Sequence, residues 1–281
     1  MHASTCAQAD LTPADTTRLA TLPPGEIVSW AHGEIPLFVQ RPDGKVRGVF
    51  VTVHGNNRQA AIHALRFSAL ARRHGLLLIA PSFTRAEHPY YQRLADGVDD
   101  ALTRTVLALL HAEGIHDDAW LWFGHSAGAQ FVHRYTLRHP ARVRRAALSA
   151  AGWYTLPDAG LAYPYGIDGF AGMAPLPEVL AVRQRVFVGA LDVHGGDSLR
   201  REPVLDERQG SDRLARARTF VREMCRLAIA NAMPARVSLR EMPDAGHDFD
   251  INMRRTRLGP QVLRFLLRDA DDDAAPCPAQ P

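Results

Sequence analysis

The chain has 281 residues, 46% of them apolar and 22% charged, with a formal net charge of +3. Length and balance predict one α/β domain with a sizeable core, and they exclude a disordered chain. No stretch approaches the ~20 apolar residues that a membrane helix needs.

Arginine carries nearly all the positive charge, because Lys45 is the single lysine. The arginines are scattered and interleaved with acids, so no basic stripe for nucleic acid is expected. Cys6, Cys225 and Cys277 do not make a disulfide framework. Cys225 sits in an apolar helical run and is expected in the core. The first twenty residues lack a basic start and an apolar stretch, unlike a signal peptide. A cytoplasmic protein is therefore expected, or a secreted one if a leader has been removed.

Residues 1–25 are polar and Pro-containing and read as an extension. From Gly25 to Gly44 apolar and polar residues alternate and end in the turn Pro42-Asp43-Gly44, which predicts an antiparallel hairpin. VRGVFVTVHG is a continuous apolar run, the mark of a strand buried on both faces. Helical spacing follows through Ala61, Leu65, Phe67 and Leu70, and stops at Gly75. LLLIAPSF is a second buried strand. ADGVDDALTRTVLALLHAEG is a helix with an acidic start and a glycine stop. AWLWFG is a strand, and AGAQFVHRYTLRHP is a helix ended by Pro140. VRRAALSAAG, RQRVFVGALD and ARVSLREMPDAG are three more strands. A long helix, SDRLARARTFVREMCRLAIANA, precedes the last of them, and TRLGPQVLRFLLRD follows it. Residues 270–281 read as a disordered tail. Strands alternating with helices predict a mostly parallel sheet of about eight strands, with helices on both faces and the hairpin at one edge. The expected domain spans 26–269.

The pentapeptide GHSAG, Gly124 to Gly128, lies where a strand ends and a helix begins. A turn that sharp forces Ser126 into a strained backbone and crowds its neighbours. Glycine on both sides removes the crowding. The hydroxyl then stands above the carboxyl end of the sheet, beside the free N–H groups of a helix N-terminus.

With VTVHGNN, GHSAGAQ, VGALD and AGHDF in that order, the chain resembles a serine hydrolase of the α/β-hydrolase superfamily over roughly residues 26–269. Within it the chain is most similar to carboxylesterases related to feruloyl esterases and polyhydroxyalkanoate depolymerases. The resemblance implies a nucleophile elbow at Ser126 and the chain order nucleophile, acid, histidine. His247 then fits the base, in a loop after a strand, while His125 diverges from its neighbour Ser126. Asp192, at the end of RVFVGALD, fits the acid, with Asp197 and Asp158 as rivals. Two backbone N–H groups are needed for the carbonyl oxygen that becomes negative. Ala127 supplies one, and Asn56, or alternatively Asn57, the other. Gly55 permits the close approach, and His54 is expected to brace the loop.

Residues 152–177 form a long Gly-, Pro- and aromatic-rich segment between two strands. Trp153, Tyr154, Tyr163, Tyr165 and Phe170 either line a substrate pocket under a small cap or pack the segment onto the core. Tyr90 and Tyr91 are candidates for the rim. There is no H-E-x-x-H, C-x-x-C, G-x-G-x-x-G or P-loop pattern, so neither metal nor cofactor is expected. His111, His116, His133 and His139 read as helix-surface residues without a third ligand. The predicted activity is carboxylic ester hydrolysis through an acyl-enzyme, on a small-molecule or oligomeric ester. An amidase or peptidase of the same fold is the alternative, and a catalytically silent binding protein a further one.

Overall fold

The computed structural model describes residues 24–194 and 199–268. The extension up to residue 23, the tail from residue 269, Cys6, Cys277 and Asp197 lie outside them.

The predicted hairpin is β1 (Ile27–Trp30) and β2 (Leu37–Gln40), paired antiparallel. β3 (Gly48–Val53), β4 (Leu76–Pro81), β5 (Trp120–His125), β6 (Val143–Ser149), β7 (Arg183–Gly189) and β8 (Val237–Met242) follow. They join the hairpin in one eight-stranded sheet, in the order β1-β2-β4-β3-β5-β6-β7-β8. β2 meets β4 antiparallel, and every pair from β4 to β8 is parallel. The apolar runs explain the centre: all six residues of β3, β4 and β5 are buried. Side chains alternate across a strand, so β5 serves both faces. Trp120 and Trp122 enter one core, with Val49, Val51 and Phe131. Leu121 and Phe123 enter the other, with Phe50, Phe67 and Leu263.

Helices cover both faces. α1 (Ala60–Arg73) packs in the second core, and α2 (Val98–Ala112) and α3 (Ala127–Arg138) in the first. The sequence pattern missed three short helices: α4 (Leu176–Ala181), α5 (Pro203–Arg208) and α7 (Phe249–Arg255). Each has under two full turns of amphipathic register, too little for periodicity to reveal. α6 (Arg213–Ala230) is the long helix, capped by Asp212, whose carboxylate accepts from Ala215 N–H at 2.8 Å. α8 (Leu258–Leu266) closes the second core. Cys225 is buried in α6 as expected, but it is disulfide-bonded. Among the described residues no helix is long and apolar enough to cross a membrane.

Residues 152–177 are more ordered than their composition suggested. Backbone bonds fold the segment on itself: Leu156 N–H donates to Tyr165 O, Ile167 to Asp158 O and Tyr163 to Asp168 O. Two buried arginines fasten its base. Arg134 Nε donates to Thr155 Oγ1 at 2.8 Å, and Arg216 Nη1 donates to Gly152 O at 2.7 Å.

Candidate active site

Ser126 stands between β5 and α3 with φ 55° and ψ −115°. A non-glycine residue takes up such a backbone only where its surroundings impose it. The flanking glycines show what imposes it. A Cβ on Gly124 would lie 2.3 Å from Gly128 O, and one on Gly128 would lie 2.1 Å from Val53 O. Strand, turn and helix are thus in backbone contact, and β3 lies directly behind them. Ala127 is the first residue of α3, so its N–H has no partner within the helix.

The exits of β7 and β8 are tied together. Ala190 N–H donates to Met242 O, and Leu191 N–H to Ala245 O. These bonds bring Asp192 and His247, distant in sequence, side by side at the carboxyl end of the sheet. His247 Nδ1 is 3.0 Å from Asp192 Oδ2. The other carboxylate oxygen accepts from Arg213 Nη1 at 3.1 Å, and both of those side chains are only 2% exposed. Buried charges are tolerated when paired, and here one carboxylate serves an imidazole and a guanidinium at once.

Ser126 and His247 line one cavity of about 290 Å³ together with Gly55, Asn56, Asn57 and Phe249. No hydrogen bond joins the Ser126 and His247 side chains among the described residues. Such bonds are often loose in the free enzyme and tighten when substrate arrives. Asp158, one rival acid, instead pairs with Arg208 at 2.9 Å on the surface.

The loop after β3 lies against Ser126: a Cβ on Gly55 would be 3.3 Å from Ser126 Cβ. Its geometry is set by His54, which is completely buried. Phe83 N–H donates to His54 Nε2 at 3.1 Å, so the ring proton sits on Nδ1. Nδ1 therefore donates to Gly55 O at 2.9 Å. The same carbonyl accepts Arg58 N–H at 3.0 Å. A planar trans peptide points its N–H opposite to its C=O, so pinning Gly55 O orients Asn56 N–H. Burial pushes the His54 pKa down to about 4, which keeps it neutral and in this tautomer near neutral pH.

Two more histidines border the cavity. His125 Nδ1 is 3.2 Å from Ser149 Oγ, and its ring also bonds the His247 backbone. His63 Nδ1 is 3.0 Å from Thr52 Oγ1, and its ring stacks on Phe249 with centroids 3.9 Å apart. Burial holds both well below the ordinary histidine range. Sequence reasoning missed Asn252, whose Nδ2 donates to Gly246 O at 2.9 Å beside His247. It also missed Arg213, since an arginine opening a helix gives no hint of a carboxylate twenty-one residues earlier in the chain.

Trp153, Tyr154, Tyr163 and Tyr165 are not among the residues that line this cavity. Tyr154 is fully buried and stacks on Phe220 at 4.3 Å between centroids. Trp153 is buried with the Arg134 guanidinium 4.4 Å from its ring centre. Tyr163 stacks on Phe170 and donates to Arg93 O, and Tyr165 donates to Glu202. These rings fasten the segment to the body of the protein. Tyr91 is likewise buried, donating to His54 O at 2.6 Å, and Tyr90 is exposed beside Arg93.

The helix histidines also need correction. His133 is buried and accepts Thr155 N–H at 2.9 Å. His139 does have two carboxylates near it, Asp99 and Asp100. Asp99 is bonded to His139 Nε2 at 2.7 Å and to Arg138 Nη1 at 3.0 Å, so the cluster is an ion-pair network already holding its own cation.

No protein-family model matches the chain, and no curated protein matches it. Solved structures do. The chain is 32% identical to LpqC, a poly(3-hydroxybutyrate) depolymerase from Bordetella parapertussis, over 94% of this chain and 98% of that one, with a TM-score of 0.76. It shares the fold of poly(aspartic acid) hydrolase-1 from Sphingomonas sp. KT-1, with 24% identity, 84% and 100% coverage and a TM-score of 0.72. It shares it too with FphF, a fluorophosphonate-binding serine hydrolase of Staphylococcus aureus, with 14% identity, 88% and 100% coverage and a TM-score of 0.59.

Proposed function

The chain belongs to the α/β-hydrolase superfamily of esterases, among the relatives of polyhydroxyalkanoate depolymerases, and we propose that it cleaves carboxylic esters through an acyl-enzyme on Ser126. The observation that carries this reading is one cavity bordered by a serine on a strained turn and a histidine paired with a buried aspartate.

In this reading His247 Nε2 takes the Ser126 proton as Oγ attacks the ester carbonyl. Asp192 holds the ring with its proton on Nδ1 and offsets the positive charge that the imidazolium gains. Serine is a weak nucleophile without such a base. The carbonyl oxygen, now negative, is received by Ala127 N–H and Asn56 N–H, each worth about 3 kcal/mol in the transition state. His247 then returns its proton to the leaving alcohol. Water repeats the sequence on the acyl-enzyme, releases the acid and restores Ser126.

The cavity is at the small end of ligand pockets and favours a short acyl group. Its lining mixes Phe249 with the amides of Asn56, Asn57 and Gln59 and the carboxylates of Asp248 and Asp250, which disfavours an anionic acyl chain. Oligomeric hydroxyalkanoate esters belong among the substrates to screen, given what the Bordetella relative is named for.

The test is hydrolysis of p-nitrophenyl acetate, butyrate and octanoate by wild type and Ser126→Ala. The reading expects activity on the short esters and its loss in the variant. Equal rates in both proteins refute it. Matched amides run alongside decide between ester and amide bonds: faster turnover of the amide would replace the esterase by an amidase.

A further inference from the structure

Arg58 has no place in the chemistry above, yet its surroundings are unusual. Its backbone is left-handed, with φ 59°, at the end of the turn closed by Arg58 N–H and Gly55 O. Arginine takes that conformation only under constraint. The guanidinium then reaches across to the segment after β4. Nη1 donates to Phe83 O at 3.0 Å and His88 O at 2.9 Å, with Thr84 O at 3.4 Å, and Nη2 donates to Pro89 O at 2.9 Å. The group also lies 4.5 Å from the centre of the Tyr91 ring. Its acceptors are four neutral carbonyls of one short segment. Bonds from a charged donor are about twice as strong as neutral ones, so this one side chain clasps that segment firmly.

The clasp matters because of what lies on each side of it. On one side, the turn Gly55 to Arg58 carries Asn56 and touches Ser126. On the other, Phe83 N–H sets the His54 tautomer and Tyr91 OH holds His54 O. Arg85 Nη2 adds a bond of 3.2 Å to Asn56 O. The peptides on both sides of Asn56 are thus held, Gly55 O by His54 Nδ1 and Arg58 N–H and Asn56 O by Arg85, and Arg58 also ties this turn to the segment after β4.

We propose that Arg58 is a positioning residue for transition-state charge, holding Asn56 N–H where the ester oxygen becomes negative. The inference rests on the reading of Asn56 as an oxyanion donor. Arg58 touches no reacting atom. Its loss leaves Ser126 and His247 in place but lets the turn move. A donor a fraction of an ångström out of place still tolerates the neutral ester and fails the tetrahedral oxyanion.

The experiment compares wild type, Arg58→Lys, Arg58→Ala and Ser126→Ala on a p-nitrophenyl ester. It also measures the affinity of each for an alkylboronic acid, whose serine adduct is tetrahedral and negatively charged. Both Arg58 variants are expected to lose about 10- to 100-fold in kcat, part of the 10²–10³ of a deleted donor, with KM changed by less than about threefold. Boronate affinity should fall in step with kcat. Lysine should not rescue, because a single ammonium cannot span the four carbonyls. Melting curves identify a variant that fails to fold, and Arg58→Lys then carries the test. Retained kcat in folded Arg58 variants, or lost kcat with unchanged boronate affinity, overturns the inference. If Ser126→Ala keeps wild-type activity, the underlying reading fails instead, whatever the Arg58 variants do.

Discussion

Replacing Asp192 with asparagine separates charge and orientation from shape. The two carboxylate oxygens have different neighbours: Oδ1 faces Arg213 Nη1 at 3.1 Å, and Oδ2 faces His247 Nδ1 at 3.0 Å. A guanidinium only donates, so the new amide must turn its oxygen toward Arg213. Its NH2 then faces His247 Nδ1, which can accept only when unprotonated. The ring proton is driven to Nε2, the atom that has to receive the Ser126 proton. The amide cannot relieve this by flipping, because its NH2 would then meet the guanidinium N–H groups. With both hydrogen bonds kept, the fold should survive. The expected loss in kcat is about 10⁴-fold, equivalent to about 5 kcal/mol in barrier height. The assay is steady-state hydrolysis of a short p-nitrophenyl ester at pH 7 to 9, with circular dichroism to show a native fold. A folded Asp192→Asn protein within about tenfold of wild type would refute both the acid's role and the tautomer argument.

Other outcomes follow from the same geometry. Gly128→Ala drives a methyl into the β3 backbone, 2.1 Å from Val53 O, and should cost about 3 kcal/mol in urea unfolding; an unchanged midpoint would contradict the packing described for the turn. Tyr154→Phe removes a buried hydroxyl that has no hydrogen-bond partner among the described residues; it should hold or raise the melting temperature and leave KM unchanged, and a raised KM would restore this ring to the substrate pocket. Stability should depend on pH through His54, whose folded pKa is pushed down to about 4 by burial. Between the unfolded value near 6.5 and about 4, only the unfolded chain takes up the proton. Unfolding free energy should therefore fall on acidification through that window, by about 3 kcal/mol from this group if it acts alone. His63, His125 and His133 are shifted the same way and add to the fall. Urea titrations at pH 7 and 5 check it, and equal stability at both would contradict a neutral buried His54.

The sequence reveals the sheet and the serine's setting for a common reason. Apolar runs such as WLWFGH and a glycine pair around one serine express constraints local to a few residues, and locality is what a pattern carries. The pairing of Asp192 with His247 was expected from strand ends and from the chain order that the resemblance implies, and the two side chains do meet. The aromatic segment was not. Composition shows that Trp153 and Tyr154 are large and apolar, but not whether they turn toward a cavity or toward Phe220 and Arg134. Arg58 and Arg213 were invisible because their partners lie far away or are backbone carbonyls, which leave no trace in residue type. The helix Phe249–Arg255 did leave one. Asp248 caps it, accepting from Ile251 N–H at 2.7 Å, and Asp followed by an apolar residue is a helix-start signal.

The most direct measurement is a rapid-quench experiment in which wild type is mixed with excess p-nitrophenyl butyrate, stopped with acid and digested for mass spectrometry. The account predicts a butyryl adduct on the peptide containing Ser126, formed with the burst of p-nitrophenol and lost as turnover ends. Steady hydrolysis with the label on another residue, or undiminished hydrolysis by Ser126→Ala, would contradict it.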